Sequence, residues 1–162
     1  MIVVVEGPDG AGKSTLVDYL VNEYKLEKIH SNNKTENTLQ YHLDLLKDNR
    51  VLDRANLGEI VYPLVYARQP KMTWSEQMEF MSECVKRDVI YIIFYASNFK
   101  DLEERLFKRG DTEEVLENAK YINDIFSKLA RDLENEFPNV YALDISTIKN
   151  QINAFDNILK GD

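Results

Sequence analysis

The chain has 162 residues, of which 44% are hydrophobic and 30% are charged, a composition typical of a folded domain and not of a disordered or fibrous chain. Twenty Lys and Arg residues against 28 Asp and Glu residues leave a net charge of −8, which disfavours nucleic acid and anionic membranes as partners. The single cysteine cannot form an internal disulfide, and the apolar N-terminal run is too short for a signal peptide. We therefore expect one cytoplasmic domain over residues 1–162, without a membrane-spanning segment.

Short apolar runs alternate along the chain with stretches in which apolar residues have helical spacing. The short runs predict five strands, at residues 2–5, 26–30, 51–53, 89–95 and 140–143. Helical spacing predicts the segments 13–24, 36–48, 56–66, 73–85, 102–109, 112–137 and 148–159. This order predicts an α/β fold of three layers, with a five-stranded parallel sheet between helices and ligands at the carboxyl ends of the strands.

Two of these elements carry more specific signals. The run at 89–95 has no polar alternation, which favours a central strand covered on both faces. Thr73 and Glu76 have the spacing of a capping box at the start of a helix. We expect the buried face of that helix to consist of Trp74, Met78, Met81 and Val85.

Residues 7–14, Gly-Pro-Asp-Gly-Ala-Gly-Lys-Ser, match the phosphate-binding spacing G-x-x-x-x-G-K-[ST] between a predicted strand and a predicted helix. The glycines allow backbone N–H groups to face phosphate oxygens, and the start of the helix adds its positive end. We expect Lys13 on a solvent-facing loop without packing contacts, from where it reaches the β- and γ-phosphates of ATP, with the Ser14 hydroxyl as a ligand of Mg²⁺. The predicted ATP-binding residues are Gly7, Asp9, Gly10, Ala11, Gly12, Lys13, Ser14 and Thr15.

Asp53 and Arg54 follow the third predicted strand. A carboxylate at this position faces a metal held by Ser14, and the adjacent guanidinium can bind a second phosphate with two hydrogen bonds. A GTPase would instead need an Asn-Lys-x-Asp motif late in the chain. The Asn-Lys-Thr-Glu segment at 33–36 ends in Glu and precedes the third strand, so we interpret it as a solvated loop.

The segment 6–15, Glu-Gly-Pro-Asp-Gly-Ala-Gly-Lys-Ser-Thr, resembles the P-loop of thymidylate kinases, and Asp53-Arg54 match the D-R motif of that family. Residues 53–62 are similar to viral thymidylate-kinase-like proteins, and Arg-Leu-Phe-Lys-Arg-Gly-Asp at 105–111 resembles the basic lid segment. The element order agrees over nearly the whole chain, although only about 25 residues carry the resemblance as motifs. It implies a P-loop NTPase fold of the nucleoside monophosphate kinase type, with an acceptor-binding region at about 31–87 and a lid at about 105–113.

The resemblance also implies a role for each matching residue. Lys13, Ser14 and Thr15 would hold the donor phosphates and Mg²⁺, and Asp9 would approach the sugar hydroxyl of the acceptor. Asp53 would support the metal, and Arg54 would hold the acceptor phosphate. Position 10 is glycine, so the P-loop provides no catalytic arginine. Arg105 and Arg109, four residues apart on one helix face, are then expected to stabilise charge on the transferred phosphoryl group.

The chain departs from the family in the region that would bind the base. The interval before Asp53 is shorter than in cellular thymidylate kinases, no Arg-Glu-Pro-Gly segment follows the second strand, and alanine replaces the tyrosine of D-R-Y. A stripe on one helix face would combine a gap at Gly58 with the rings of Tyr62 and Tyr66, and these rings could stack a base beside Arg54. Arg68 could form a hydrogen bond with the edge of the base. Core tyrosines and an exposed arginine remain the alternative interpretation.

The activity that these residues indicate is the Mg²⁺- and ATP-dependent phosphorylation of a deoxynucleoside monophosphate, with dTMP as the first candidate by resemblance. Two alternatives stay open. One is a kinase of the same fold that acts on a nucleoside or on a modified base in DNA, with Glu59 or Asp9 as general base. The other is a catalytically silent nucleotide-binding regulator, which would be recognised by a degraded P-loop or lid. We also leave a homodimer open.

Overall fold

The structure is a computed structural model that describes residues 1–31 and 36–161. The five strands in these ranges are β1 (Ile2–Glu6), β2 (Glu27–His30), β3 (Arg50–Asp53), β4 (Ile90–Tyr95) and β5 (Val140–Asp144). The helices are α1 (Lys13–Tyr24), α2 (Thr38–Leu45), α3 (Gly58–Val65), α4 (Trp74–Lys86), α5 (Phe99–Arg109), α6 (Glu113–Glu136) and α7 (Gln151–Lys160). The loop that we predicted at 33–36 lies outside the described residues, except for Glu36.

The strands form one parallel sheet in the order β2-β3-β1-β4-β5, which confirms the predicted fold class. β1 lies at the centre, so the chain continues to opposite sides of it, and the crevice at the carboxyl end of β1 is the expected ligand site of such a sheet. The register places Val5 beside Asp53 on one side and beside Ile92 on the other, while His30 lies beside Asp53. Residues that follow β1, β2 and β3 therefore meet at one edge.

Helices cover both faces of the sheet, and the central strands contribute alternate residues to two separate cores. On one face, Val4 and Tyr91 pack with residues of α3, α4 and α6; these include Val61, Phe80 and Phe126. On the other face, Val5 and Ile92 pack with residues of α1, α5 and α7; these include Leu16, Leu102 and Phe155. Burial on both sides explains why β4 has no polar alternation.

The structure corrects several helix predictions. The helix predicted at 36–48 ends at Leu45, and Ile148 precedes α7 instead of lying in it. Thr73 and Glu76 do form the predicted capping box, but Trp74 is 52% exposed. The buried residues of α4 are Gln77, Phe80, Met81 and Cys84. The apolar pattern missed Gln77 because its side chain is satisfied inside the protein by hydrogen bonds with Asn56.

No helix within the described ranges combines the length and the apolar character that crossing a bilayer requires.

Candidate active site

The loop between β1 and α1 has the backbone shape that its glycines predict. Gly7 has a φ of 139°, and a Cβ atom there would lie 2.7 Å from the carbonyl oxygen of Phe94. Gly12 has a φ of 91°, and its Cβ would overlap the Nε2 atom of Gln151. That amide donates a hydrogen bond to the carbonyl oxygen of Ala11 at 3.1 Å, so the start of α7 packs against the loop. Only glycine fits at positions 7 and 12.

Lys13 is the first residue of α1, and the structure contradicts the expectation that it lies on an exposed loop. Only 7% of the residue is exposed. Its Nζ atom donates hydrogen bonds to the carbonyl oxygens of Gly7 at 2.9 Å and Pro8 at 2.8 Å, and it lies 3.8 Å from the carboxylate of Asp9. Burial, followed by the neighbouring charge of Arg54, lowers the pKa of Lys13 to about 8. The lysine is therefore packed against its own phosphate loop, and its Nζ atom has to leave these carbonyl oxygens to bind a phosphate.

Asp53 and Arg54 lie where β3 ends, directly beside the end of β1. The Oδ2 atom of Asp53 is 3.6 Å from both Lys28 Nζ and His30 Nδ1. Arg54 has a left-handed backbone with a φ of 73°, which costs an arginine about 1–2 kcal/mol. Its N–H donates to the carbonyl oxygen of Val5 at 3.0 Å.

The guanidinium of Arg54 is held by two side chains. It donates to the hydroxyl oxygen of Tyr62 at 2.5 Å and to the carboxylate of Asp9, and it lies over the ring of Tyr62 at 5.2 Å from the centroid. Burial opposes its charge, but contacts with Tyr62 and Asp9 raise the pKa of Arg54 above its ordinary value. Burial also raises the pKa of Tyr62 to about 12. At neutral pH the pair is therefore a fixed cation bound to a neutral phenol.

Sequence reasoning gave no role to Glu6, although the residue lies in the motif. It ends β1, is 1% exposed, and accepts hydrogen bonds through Oε1 from the backbone N–H groups of Ala55 at 2.8 Å and Leu57 at 3.1 Å. Burial raises the pKa of its carboxyl, and the two backbone bonds and Arg54 only partly oppose this. The sequence feature that could have identified Glu6 is that it is an acidic residue at the end of an otherwise entirely apolar strand.

These segments surround a cavity of about 390 Å³ at the carboxyl edge of the sheet. Its lining combines the phosphate loop, the ends of β2 and β3, and the end of α5; the residues are Asp9, Gly10, Gly12, Lys13, Ser14, His30, Asp53, Arg54 and Arg109. All of them except His30 were predicted site residues. His30 was missed because nothing in the sequence indicates that β2 pairs with β3 in the register that brings it to Asp53.

The end of α5 packs directly on the phosphate loop. Arg105 donates a hydrogen bond to the carbonyl oxygen of Gly10 at 3.3 Å, and Arg109 lines the cavity while its Nε atom donates to Asp111 at 2.9 Å. A Cβ atom at Gly10 would lie 3.1 Å from a methyl group of Leu106. The structure thus brings both predicted lid arginines to the phosphate loop. Their catalytic role and the movement of a lid stay predictions.

The residues predicted to bind the base are only partly assembled at this cavity. Tyr62 contacts Arg54, but Tyr66 is 46% exposed and carries the guanidinium of Arg68 over its ring at 5.5 Å. A Cβ atom at Gly58 would lie 3.6 Å from the ring of Tyr62, an ordinary van der Waals contact, so the space beside this glycine has room for a methyl group. Gly58, Tyr66 and Arg68 do not line the phosphate cavity, and their role in base binding stays a prediction.

The donor set of the cavity suits a magnesium ion that is shared with a bound nucleotide. Ser14 and Asp53 both line it, and hydroxyl and carboxylate oxygens are the hard ligands that Mg²⁺ prefers. In the part of the chain that the structure describes, no three His, Cys, Asp or Glu side chains are grouped to hold a metal by themselves. Phosphate oxygens would therefore complete the coordination.

No protein-family model matches the chain, and no curated protein matches it in sequence. Solved structures do match. The YorR protein of Bacillus subtilis, in complex with phosphorylated GDP, has a TM-score of 0.77 at 19% identity, over 99% of this chain and 95% of that chain. Deoxyadenosine kinase from M. mycoides with bound dCTP has a TM-score of 0.62 at 20% identity, over 100% of both chains. These similarities do not single out thymidylate kinases. They show that the chain shares the α/β P-loop fold of these two proteins.

Proposed function

We propose that the protein is a cytoplasmic, Mg²⁺-dependent kinase that transfers the γ-phosphoryl group of ATP to a deoxynucleoside monophosphate, with dTMP as the first candidate. The observation that supports this most directly is the shared cavity. The cavity is lined by Lys13 of the phosphate loop, by the Asp53-Arg54 pair and by Arg109 of α5. A donor phosphate and an acceptor phosphate bound by these groups would lie next to each other, as direct phosphoryl transfer requires.

On the donor side, the phosphate loop binds the triphosphate through its inward-facing backbone N–H groups. The ammonium of Lys13 exchanges its bonds with the carbonyl oxygens of Gly7 and Pro8 for bonds with the β- and γ-phosphates. Ser14 and Asp53 would hold Mg²⁺, which neutralises phosphate charge when bound. Bound phosphates also stabilise the charged form of Lys13, because nearby anions favour its protonated form.

On the acceptor side, Arg54 binds the acceptor phosphate with charge-assisted hydrogen bonds. Tyr62 and Asp9 fix the orientation of its guanidinium before the nucleotide binds, which reduces the entropy lost on binding. Asp9 is exposed in the cavity and remains the residue proposed to approach the sugar hydroxyl.

In the transition state, charge develops on the transferred group, and Arg105 and Arg109 are the cations that we propose to stabilise it. Arg105 is anchored on the carbonyl of Gly10, and Arg109 lines the phosphate cavity while its guanidinium is bound to Asp111. The bonds to Asp111 occupy Nε and Nη2 of Arg109, so its remaining N–H groups are the donors proposed for a phosphate. Closure of this segment over the donor would exclude water from the reaction.

A nucleoside kinase is the second candidate, because the deoxyadenosine kinase of M. mycoides shares the fold over the whole chain. A hydroxyl acceptor needs a carboxylate that accepts its proton. Asp9 lines the cavity, whereas Glu59 does not line it and lies 3.3 Å from the buried ring of His42. Asp9 is therefore the better candidate for that base.

Two further alternatives have less support. A modified base in DNA would have to approach a protein with a net charge of −8. A silent regulator would be expected to lack parts of the machinery, yet the phosphate loop, Asp53 and the lid arginines are all present in this chain.

The test is release of ADP from Mg·ATP in the presence of single acceptors: dTMP, the other deoxynucleoside monophosphates, the nucleosides, and an oligonucleotide with modified bases. We expect the highest turnover with a monophosphate. Turnover with nucleosides alone would favour the second candidate, and no turnover with any acceptor would favour a regulator. Lys13→Met is the control that separates this activity from a contaminating kinase.

We also propose that two copies of the chain pack through an exposed apolar groove of about 590 Å³ between α3, α4 and α6. Trp74 and Tyr121, which line it, are 52% and 64% exposed. Asp124, Lys128 and Asp132 form an alternating row along the same groove; Lys128 pairs with Asp132 of its own chain at 2.6 Å, and an antiparallel copy of α6 can place it against Asp124 as well. Sedimentation equilibrium should find a dimer that Tyr121→Glu dissociates; a monomeric wild-type protein would contradict this proposal.

A further inference from the structure

Glu6 is a buried carboxylic acid that the proposed chemistry does not use. It ends the central strand β1, one residue before the phosphate loop, and only 1% of it is exposed. A group that is costly to bury and yet takes no part in the reaction needs another explanation. Its hydrogen bonds provide one, because they are made to the loop that carries the arginine of the acceptor site.

Three backbone N–H groups of that loop donate to the end of β1. Arg54 N–H bonds to the carbonyl oxygen of Val5 at 3.0 Å, and the N–H groups of Ala55 and Leu57 bond to Oε1 of Glu6 at 2.8 and 3.1 Å. The chain from 54 to 57 is therefore fixed to β1 by one carbonyl and one carboxyl oxygen. Of the two, only the carboxyl oxygen can be removed by a side-chain substitution.

The backbone of Arg54 needs such support. Its φ of 73° lies in the left-handed region, which an arginine adopts only when surrounding contacts hold it there. In this conformation the side chain reaches Asp9 of the phosphate loop and the hydroxyl of Tyr62. If the loop relaxed to an ordinary φ, the guanidinium would be directed elsewhere.

We propose that Glu6 is a positioning residue that holds the loop after β3 in the conformation from which Arg54 binds the acceptor phosphate. This inference rests on the proposed function in one respect, the assignment of Arg54 to the acceptor. The link between Glu6 and the conformation of Arg54 stands on the geometry alone.

The property that Glu6 contributes is hydrogen-bond acceptance at Oε1, which a glutamine shares. Glu6→Gln should therefore retain both backbone bonds, and Glu6→Leu should lose them. We expect Glu6→Leu to raise the acceptor KM at least about tenfold while the ATP KM changes by less than about twofold. Glu6→Gln should stay within about threefold of wild type for both substrates. Glu6→Asp, whose shorter side chain cannot reach both N–H groups, should show the same bias if the leucine variant does not fold.

Tyr91→Phe is the matched control, because it removes a buried hydrogen bond between β4 and the same loop. The Tyr91 hydroxyl donates to Oδ1 of Asn56 at 2.7 Å and has no contact with Arg54 among those that the structure gives. We expect this variant to lower the midpoint of urea unfolding without changing the ratio of the two KM values. An equal bias in Tyr91→Phe would mean that general loosening of the loop, and not Glu6, controls Arg54.

Crystal structures of the Glu6 variants decide the structural part without any assay. In Glu6→Leu, or in Glu6→Asp if only that variant folds, we expect Arg54 to leave the left-handed region and to lose its hydrogen bond with Tyr62. In Glu6→Gln we expect Arg54 to keep its left-handed backbone and this hydrogen bond. An unchanged Arg54 in the variant that lacks the backbone bonds would overturn the proposal, as would a KM bias of equal size in Glu6→Gln. If the wild-type protein phosphorylates no acceptor, the proposed function fails, and the crystal structures still decide the role of Glu6.

Discussion

Replacing Lys13 with methionine should abolish phosphoryl transfer and yet leave the protein more stable at neutral pH. Burial lowers the pKa of Lys13 from 10.5 to about 8, so keeping its charge in the folded protein at pH 7 costs about 3 kcal/mol. Methionine has no charge to bury, but it loses two hydrogen bonds to loop carbonyls, worth about 1 kcal/mol each. The net expectation is that Lys13→Met is more stable by about 1 kcal/mol.

The sign of this difference should reverse as the pH rises. The folded protein releases the Lys13 proton near pH 8, whereas the unfolded chain keeps it until about pH 10.5. Between these values the unfolded chain binds more protons, so the wild-type protein gains stability with pH relative to the variant. From pH 7 to pH 9.5 the gain is about 2 kcal/mol, which makes the wild type the more stable protein at the higher pH.

Urea unfolding at both pH values, in buffer free of nucleotide and metal, measures the difference. Trp74, the single tryptophan, provides the fluorescence signal. Lys120→Met is the matched control, because Lys120 is exposed on α6 and the same side-chain replacement there removes no buried charge. The reasoning is refuted if Lys13→Met is less stable than wild type at pH 7 by more than about 1 kcal/mol, or if the difference is the same at both pH values.

Four other substitutions test three separate parts of the site. Arg54→Ala should raise the acceptor KM by about 30- to 100-fold, equivalent to about 2–3 kcal/mol, and leave the ATP KM nearly unchanged; equal effects on both substrates would contradict its assignment. Arg105→Ala or Arg109→Ala should lower kcat about 10²-fold at similar ATP affinity, and wild-type kcat in both would remove them from catalysis. Gly10→Ala should lower the midpoint of urea unfolding more than Gly110→Ala does. Both positions have a left-handed backbone, but only the Cβ atom at position 10 would contact side chains of α5. Equal decreases in the two variants would show that α5 does not pack on the loop.

The features that sequence predicted correctly are those encoded by neighbouring residues. The apolar run of β4, the capping box before α4 and the spacing of the phosphate loop each lie within about a dozen residues, so local patterns suffice to find them. The parallel sheet between two layers of helices follows as well, because strands that alternate with helices have few allowed arrangements, whereas the order of its strands was not predicted.

The features that sequence missed depend on residues far apart in the chain. Glu6 bonds to residues about 50 positions later, and His30 reaches the cavity only through the register of β2 with β3. Lys13 is buried because its own loop curves around the Nζ atom, and Arg54 adds a neighbouring positive charge that lowers its pKa further; the spacing of a motif describes neither effect. Trp74 was assigned to the core because its position fits the helical period, whereas the buried face of α4 is set by its partners.

The most direct test of the central claim is to follow the γ-phosphorus of labelled ATP in the presence of Mg²⁺ and the best acceptor of the panel. The account predicts that label appears on the acceptor nucleotide in a one-to-one ratio with ADP, that no labelled protein accumulates, and that Lys13→Met eliminates the product. Label that appears only as inorganic phosphate, or ADP formed without a labelled acceptor, would contradict a cavity in which donor and acceptor phosphates meet.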